Sequence, residues 1–304
     1  MLIPFKNIAD KHKHQIKGII HIGANTGQEL DAYIEAGIKN IVFIEPIPEV
    51  FKELKKNVLS YVHDQVSGVR LIQELIGDVP KEKEDEGVEV DFFITDNDGE
   101  SSSYLPMKLH KEMHPDVKVV KTIKLKKRSF DWVVKFYHID LKNYNFLNMD
   151  IQGVEFFAML GMKKSMPFFD FIYTEVNEKE IYEGNVLLPK MNAYLEMNGF
   201  SQKELNMTPN GWGDAFYVRN TPFQHGSTSA HQNSGALLAN RNEPLATSDS
   251  RLETNSSRAA KEISDILNDL KVQLVREVSG STSEHILKGI EPRLRAIVSR
   301  YVKE

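Results

Sequence analysis

A chain of 304 residues that is 41% hydrophobic is long enough for one large domain or two ordinary ones, with a sizeable core. A net charge of -5 and a pI near 6.1 give no electrostatic case for nucleic acid or an anionic membrane as the main partner. The chain has no cysteine, which excludes disulfides, zinc–thiolate sites and cysteine nucleophiles together.

The N-terminal stretch 1–17 mixes Lys, His and Asp with few apolar residues, unlike a secretory signal, and no apolar run is long enough to span a membrane. A soluble, cytoplasmic protein is expected. Ile19–Ile22 reads as a buried strand and 27–36 as a helix; 41–44 is a second strand and 48–60 a second helix. Strands follow at 69–73, 88–95, 117–125, 146–149 and 169–176, with helices at 129–136, 153–160 and 187–198 and a closing strand at 214–219. Alternation of this kind, with apolar strands, predicts an α/β fold whose doubly wound, mostly parallel sheet is covered on both faces.

Composition changes near residue 220. Residues 221–257 are rich in Ser, Asn, Thr, Gly and Ala and are expected to be a flexible linker. In 258–304 the apolar positions Ile263, Leu267, Leu270, Leu274 and Val278, then Ile286, Ile290, Leu294, Ile297 and Tyr301, recur at helical spacing. Such helices are marginal alone. They predict a helical appendage for docking or homo-oligomerisation, or a pair folded back on the main domain.

The stretch "HIGANTGQEL", His21 to Leu30, places Gly23 and Gly27 at a strand-to-helix junction, where ligands approach the backbone in such sheets. Glu45 closes the second strand about 20 residues on, placed to accept hydrogen bonds from ribose hydroxyls. A dinucleotide fingerprint needs further glycines where Asn25 and Gln28 stand, and the Lys of a phosphate-cradling loop is absent. The loop therefore lacks the pattern for a pyrophosphate. It fits S-adenosylmethionine, which has no phosphate, with Gly23, Asn25 and Thr26 near its amino-acid end.

"HIGANTGQEL", "FIEPIPEVFKELKKNV", "SSSYL", "FLNMDIQGVEFFAMLGM", "TEVNEKEIYEGN" and "GWGDAFYV", in that order, resemble the FkbM-type S-adenosylmethionine-dependent methyltransferases over about residues 17–220. The resemblance implies the class I methyltransferase fold, a seven-stranded Rossmann-like sheet with a final antiparallel strand. It implies that Gly23, Asn25 and Gly27 line the methionine end of the cofactor, that Glu45 holds the ribose and that Asp78 lies near the adenine. It also raises Ser101, Ser102 and Ser103 to a cofactor- or substrate-facing loop. Chemistry is expected after the fourth strand of that sheet, at Asp150-Ile151-Gln152-Gly153-Val154-Glu155. Asp150 is the first choice for base or substrate anchor, with Glu155 and Glu175 behind it and Gln152 beside them.

The related methyltransferases often carry an acid at the position of His21; here a buried neutral histidine is expected. Nothing in the spacing demands a metal. His110 and His114 read as a solvent loop, because Pro115 follows and no zinc-protease Glu accompanies them. The expected activity is methyl transfer to a hydroxyl of a sugar, glycan or secondary metabolite. The alternatives are an NAD-type oxidoreductase on a similar fold and a non-catalytic scaffold acting through the C-terminal helices.

Overall fold

The computed structural model describes residues 1–12, 14–61 and 68–221. The expected linker and helical appendage beyond them lie outside the described residues. The strands are β1 (Ile19–Ile22), β2 (Asn40–Ile44), β3 (Gly68–Ile72), β4 (Leu75–Ile76), β5 (Val88–Thr95), β6 (Val119–Arg128), β7 (Phe146–Met149), β8 (Phe171–Asn177), β9 (Phe200–Met207) and β10 (Trp212–Arg219). The helices are α1 (Phe5–His12), α2 (Leu30–Glu35), α3 (Pro48–Tyr61), α4 (His110–Met113), α5 (Phe130–Phe136), α6 (Glu155–Leu160) and α7 (Leu188–Met197).

Seven strands form one sheet in the order β3-β2-β1-β7-β8-β10-β9. The first five are parallel, and β10 runs antiparallel to both β8 and β9. The expected doubly wound sheet with a reversed closing strand is therefore present. Every residue of β1, β7 and β8 is buried, as the central strands of a sheet covered on both faces must be. Phe43, Phe146, Phe171, Tyr173 and Phe216 from the sheet pack with Phe5 and Ile8 of α1 and Tyr33 of α2 on one side. This burial supplies the main stabilisation of the domain.

Two features differ from the sequence-based expectation. The strands expected at 88–95 and 117–125 do not join the main sheet; with β4 they form a separate three-stranded sheet in the order β4-β6-β5. Ile47, Leu75 and Phe92 join this sheet to the loop after β2. The helix expected from Gly27 begins at Leu30, because residues 27–29 form a turn with Gly27 at a φ of +87°. Among the described residues no helix is long and apolar enough to cross a membrane.

Candidate active site

Pairing register places the site before any side chain is considered. Ile22 pairs with Met149, Met149 with Thr174, and Glu175 with Asp214. One residue further along, Gly23, Asp150, Glu175 and Asp214 fall in a single row across the ends of β1, β7, β8 and β10. In-register neighbours point to the same face, so three carboxylates from distant parts of the chain converge. Below them, His21 pairs with Asn148 and Asn148 with Tyr173. His21 is 2% exposed, and its Nδ1 meets the Tyr33 hydroxyl at 3.2 Å, while Asn148 Nδ2 donates to the same hydroxyl at 2.6 Å. Burial lowers the His21 pKa to about 4, against a smaller opposing pull from Asp150. It is the buried, hydrogen-bonded neutral histidine expected.

The row opens into a cavity of about 600 Å³. At one end lie Gly23, Asn25 and Glu45, with Leu75, Ile76 and Phe92 from the small sheet beyond them. Gly23 has a φ of +81°, and the Gly23 and Ala24 amides both donate to the Ile44 carbonyl, at 2.9 and 3.1 Å. Glu45 is buried at the turn. One carboxylate oxygen accepts from the Asn25 amide at 3.0 Å and the other from the Ile47 amide at 2.9 Å. Burial raises its pKa to about 7, although both amides pull the other way. Each oxygen keeps a lone pair for a further donor.

Asp150, Gln152, Glu175, Tyr182, Trp212 and Asp214 line the other end. Gln152 holds them together. Its Nε2 donates to Asp150 at 2.7 Å and to Glu175 at 3.0 Å, and its Oε1 accepts from the Tyr182 hydroxyl at 2.8 Å. Gln152 is a non-glycine residue at a φ of +59°, a sparsely populated conformation that concentrates at functional sites. Burial raises the Glu175 carboxyl well above the usual carboxylate range, and the neighbouring charges of Asp150 and Glu155 raise it further. Asp214 accepts from the Leu2 amide and the Tyr173 hydroxyl.

The remaining expected site residues are placed as follows. Ser101 and Ser102 line the cavity, whereas the Ser103 hydroxyl accepts from the Leu105 amide at 3.1 Å outside it. Thr26 faces a neighbouring hollow of about 610 Å³ rather than the main cavity. Gly27 lines neither. Asp78 also stays outside the lining, with its carboxylate on Lys127 Nζ at 2.7 Å. The Glu155 carboxylate is buried behind the wall, accepting from the Ile151 and Gly153 amides at 2.9 and 3.2 Å.

Two residues read as solvent-facing are not. His110 is 6% exposed, its Nε2 meets Ser101 Oγ at 3.1 Å, and both His110 and His114 line the cavity. The apolar cluster of Met107, Ile181 and Tyr182 folds their segment over the site. Asp214, by contrast, was visible only as the first residue of an expected strand. A carboxylate next to Gly213 in an otherwise apolar run was the available signal.

Residues 21–201 match the family model of the methyltransferase FkbM domain. The chain belongs to the FkbM methyltransferase family. Among curated proteins it is similar to the 2-O-methyltransferase NoeI of Sinorhizobium fredii, 26% identical over 178 residues, or 56% of this chain and 67% of that protein. Among solved structures it is similar to a methyltransferase FkbM from Methylobacillus flagellatus, at 15% identity and a TM-score of 0.44. That match covers 66% of this chain and only 43% of the other, so this chain spans less than half of that relative's length. A magnesium protoporphyrin IX methyltransferase from Synechocystis, solved with bound SAM, matches at 10% identity and a TM-score of 0.38 over 71% of this chain and 80% of that one.

Proposed function

We propose that this FkbM-family chain transfers a methyl group from S-adenosylmethionine to a hydroxyl oxygen of a sugar, glycan or secondary metabolite. The observation that carries this reading is a single cavity with a glycine turn and a buried acid at one end and a carboxylate row at the other. The residues fit the donor. Gly23 and Asn25 would hold its amino-acid end and Glu45, with a lone pair left on each oxygen, its ribose. Leu75, Ile76 and Phe92 offer apolar surface for a base. When bound, the donor supplies a methyl group activated on a sulfonium.

The protein's part is alignment and proton removal. The Asp150 carboxylate, exposed within the cavity, takes the proton of the acceptor hydroxyl. Gln152, fixed by Tyr182, holds that carboxylate in place. Transfer to oxygen is further supported by the name of the relative NoeI, a 2-O-methyltransferase.

The test is calorimetric titration of the full chain with S-adenosylhomocysteine and with NAD, followed by methyl transfer from labelled donor to a panel of monosaccharides and polyols. Binding of S-adenosylhomocysteine and labelled O-methyl product are expected. Binding of NAD in its place would overturn the reading.

A further inference from the structure

The cavity wall carries a one-sided charge. Glu29, Glu45, Glu74 and Glu100 line it together with the row of Asp150, Glu175 and Asp214. Among the described residues, no Lys or Arg lines the cavity. The amino group of Met1 acts on Glu29 and Asp214, and Arg128 and Lys126 act on Glu74. The carboxyls already repel one another: Asp150 acts on Glu175 and Asp214, and Asp214 acts on Glu175 and Glu29. An incoming anion adds to that repulsion inside a walled, poorly solvated space, whereas a cation relieves it. Rejection of a partner by like charge is a recognised source of specificity.

We propose that Asp150, Glu175 and Asp214 are specificity-determining as a set: the acceptor is a hydroxyl compound that is neutral or amine-bearing, and phosphorylated or carboxylated acceptors are excluded. This rests on the methyl-transfer reading and narrows it. The neutral rings of Tyr182 and Trp212 beside the row provide surface for such an acceptor without adding positive charge.

Matched acceptors on one sugar scaffold test it: a parent sugar, its amino derivative, its phosphate and its uronate, each assayed with the full chain and labelled donor. Turnover is expected with the parent or amino sugar, with kcat/KM for the phosphate and uronate lower by about tenfold or more. Raising salt should narrow that gap, and Asp214→Asn should narrow it at low salt. Comparable turnover of the phosphate and the parent would overturn the proposal.

A second measurement needs no acceptor. Trp132→Phe leaves Trp212, in the cavity wall, as the sole tryptophan. Relative to acrylamide, caesium should quench it more strongly than iodide. Iodide quenching equal to caesium would overturn the proposal even if no sugar is methylated; if the variant does not fold, the same comparison on the parent chain decides, because Trp132 is only 8% exposed. Loss of S-adenosylhomocysteine binding is a separate result, which removes the methyl-transfer reading and leaves the quenching result standing.

Discussion

Gly23 and Asp150 meet backbone to backbone: a Cβ placed on Gly23 would lie 2.0 Å from the Asp150 carbonyl oxygen. The turn proposed to hold the donor is thus pressed directly against the residue proposed to take the proton. Gly23→Ala combines a left-handed backbone with a clash against main chain. The expected cost is about 2–4 kcal/mol, read as a fall in melting temperature together with loss of S-adenosylhomocysteine binding. An unchanged melting temperature would show that the strand ends part easily.

Asp150→Asn keeps the shape and removes the base. Turnover is expected to fall by about 10²–10⁴-fold while affinity for S-adenosylhomocysteine stays within experimental error of the parent. Near-normal turnover would assign proton removal to another group.

Glu155→Ala is expected to behave in the opposite way. Its carboxylate accepts from the Ile151 and Gly153 amides behind the wall and does not line the cavity. The variant should lose about 1–3 kcal/mol of stability, because a buried and a half-buried backbone donor lose their acceptor. Glu155→Gln, which keeps an oxygen, should recover much of it and retain turnover. A selective loss of kcat in Glu155→Gln, with stability intact, would return Glu155 to the chemistry.

Glu45 titrates in an accessible range. Its folded pKa of about 7 lies above the ordinary value of 4.5. The unfolded chain therefore gives up this proton first. The group's contribution to stability is full below about pH 4.5, declines as pH rises towards 7 and is level above that. Ribose hydroxyls donate best to the ionised form. Affinity for S-adenosylhomocysteine should rise as pH increases through 7, and Glu45→Gln should flatten that rise. A slope unaltered in Glu45→Gln would assign the titration to another group.

His21 has the opposite sign. Its pKa is lowered to about 4 by burial, so the unfolded chain takes up a proton from about pH 6.5 downwards while the folded one does not. Stability contributed by the neutral ring is full above 6.5 and is lost as pH falls to about 4, by about 3 kcal/mol in total. His21→Gln should be less stable than the parent at pH 8, and the difference should shrink on acidification. Denaturant titrations at pH 8, 6 and 5 measure this; a constant difference would mean that the ring does not titrate on unfolding.

Much of the fold was legible in the sequence because its central strands are continuous apolar runs: Ile19–Ile22, Phe146–Met149 and the core of β8 can only be buried. The edge strand β9 was missed, since Phe200–Met207 carries Ser, Gln, Lys, Glu and Asn on a largely exposed surface and resembles a loop. Helix α1 was missed for a related reason: only Phe5, Ile8 and Ala9 of its eight residues are buried. The separate sheet was invisible because β4 is two residues long and its pairing with β6 joins segments about fifty positions apart. At the site, Glu45, Asp150 and Glu175 stood out as acids closing apolar strands. Asp214 did not, because its place beside Glu175 depends on antiparallel pairing between β8 and β10. Asp78 and Glu155 show the converse: an acid at the right position in the chain can be engaged by Lys127 or by backbone amides instead.

The row formed by Gly23, Asp150, Glu175 and Asp214 restricts how the protein can be rebuilt. Side chains alternate along a strand, so inserting or deleting one residue within β7, β8 or β10 turns a carboxylate to the opposite face of the sheet. Length changes intended to alter the acceptor are therefore compatible with the site only outside these strands. Residues 97–117 and 178–187 lie outside these strands, and exchanges there keep the site provided that Tyr182, which fixes Gln152, is retained.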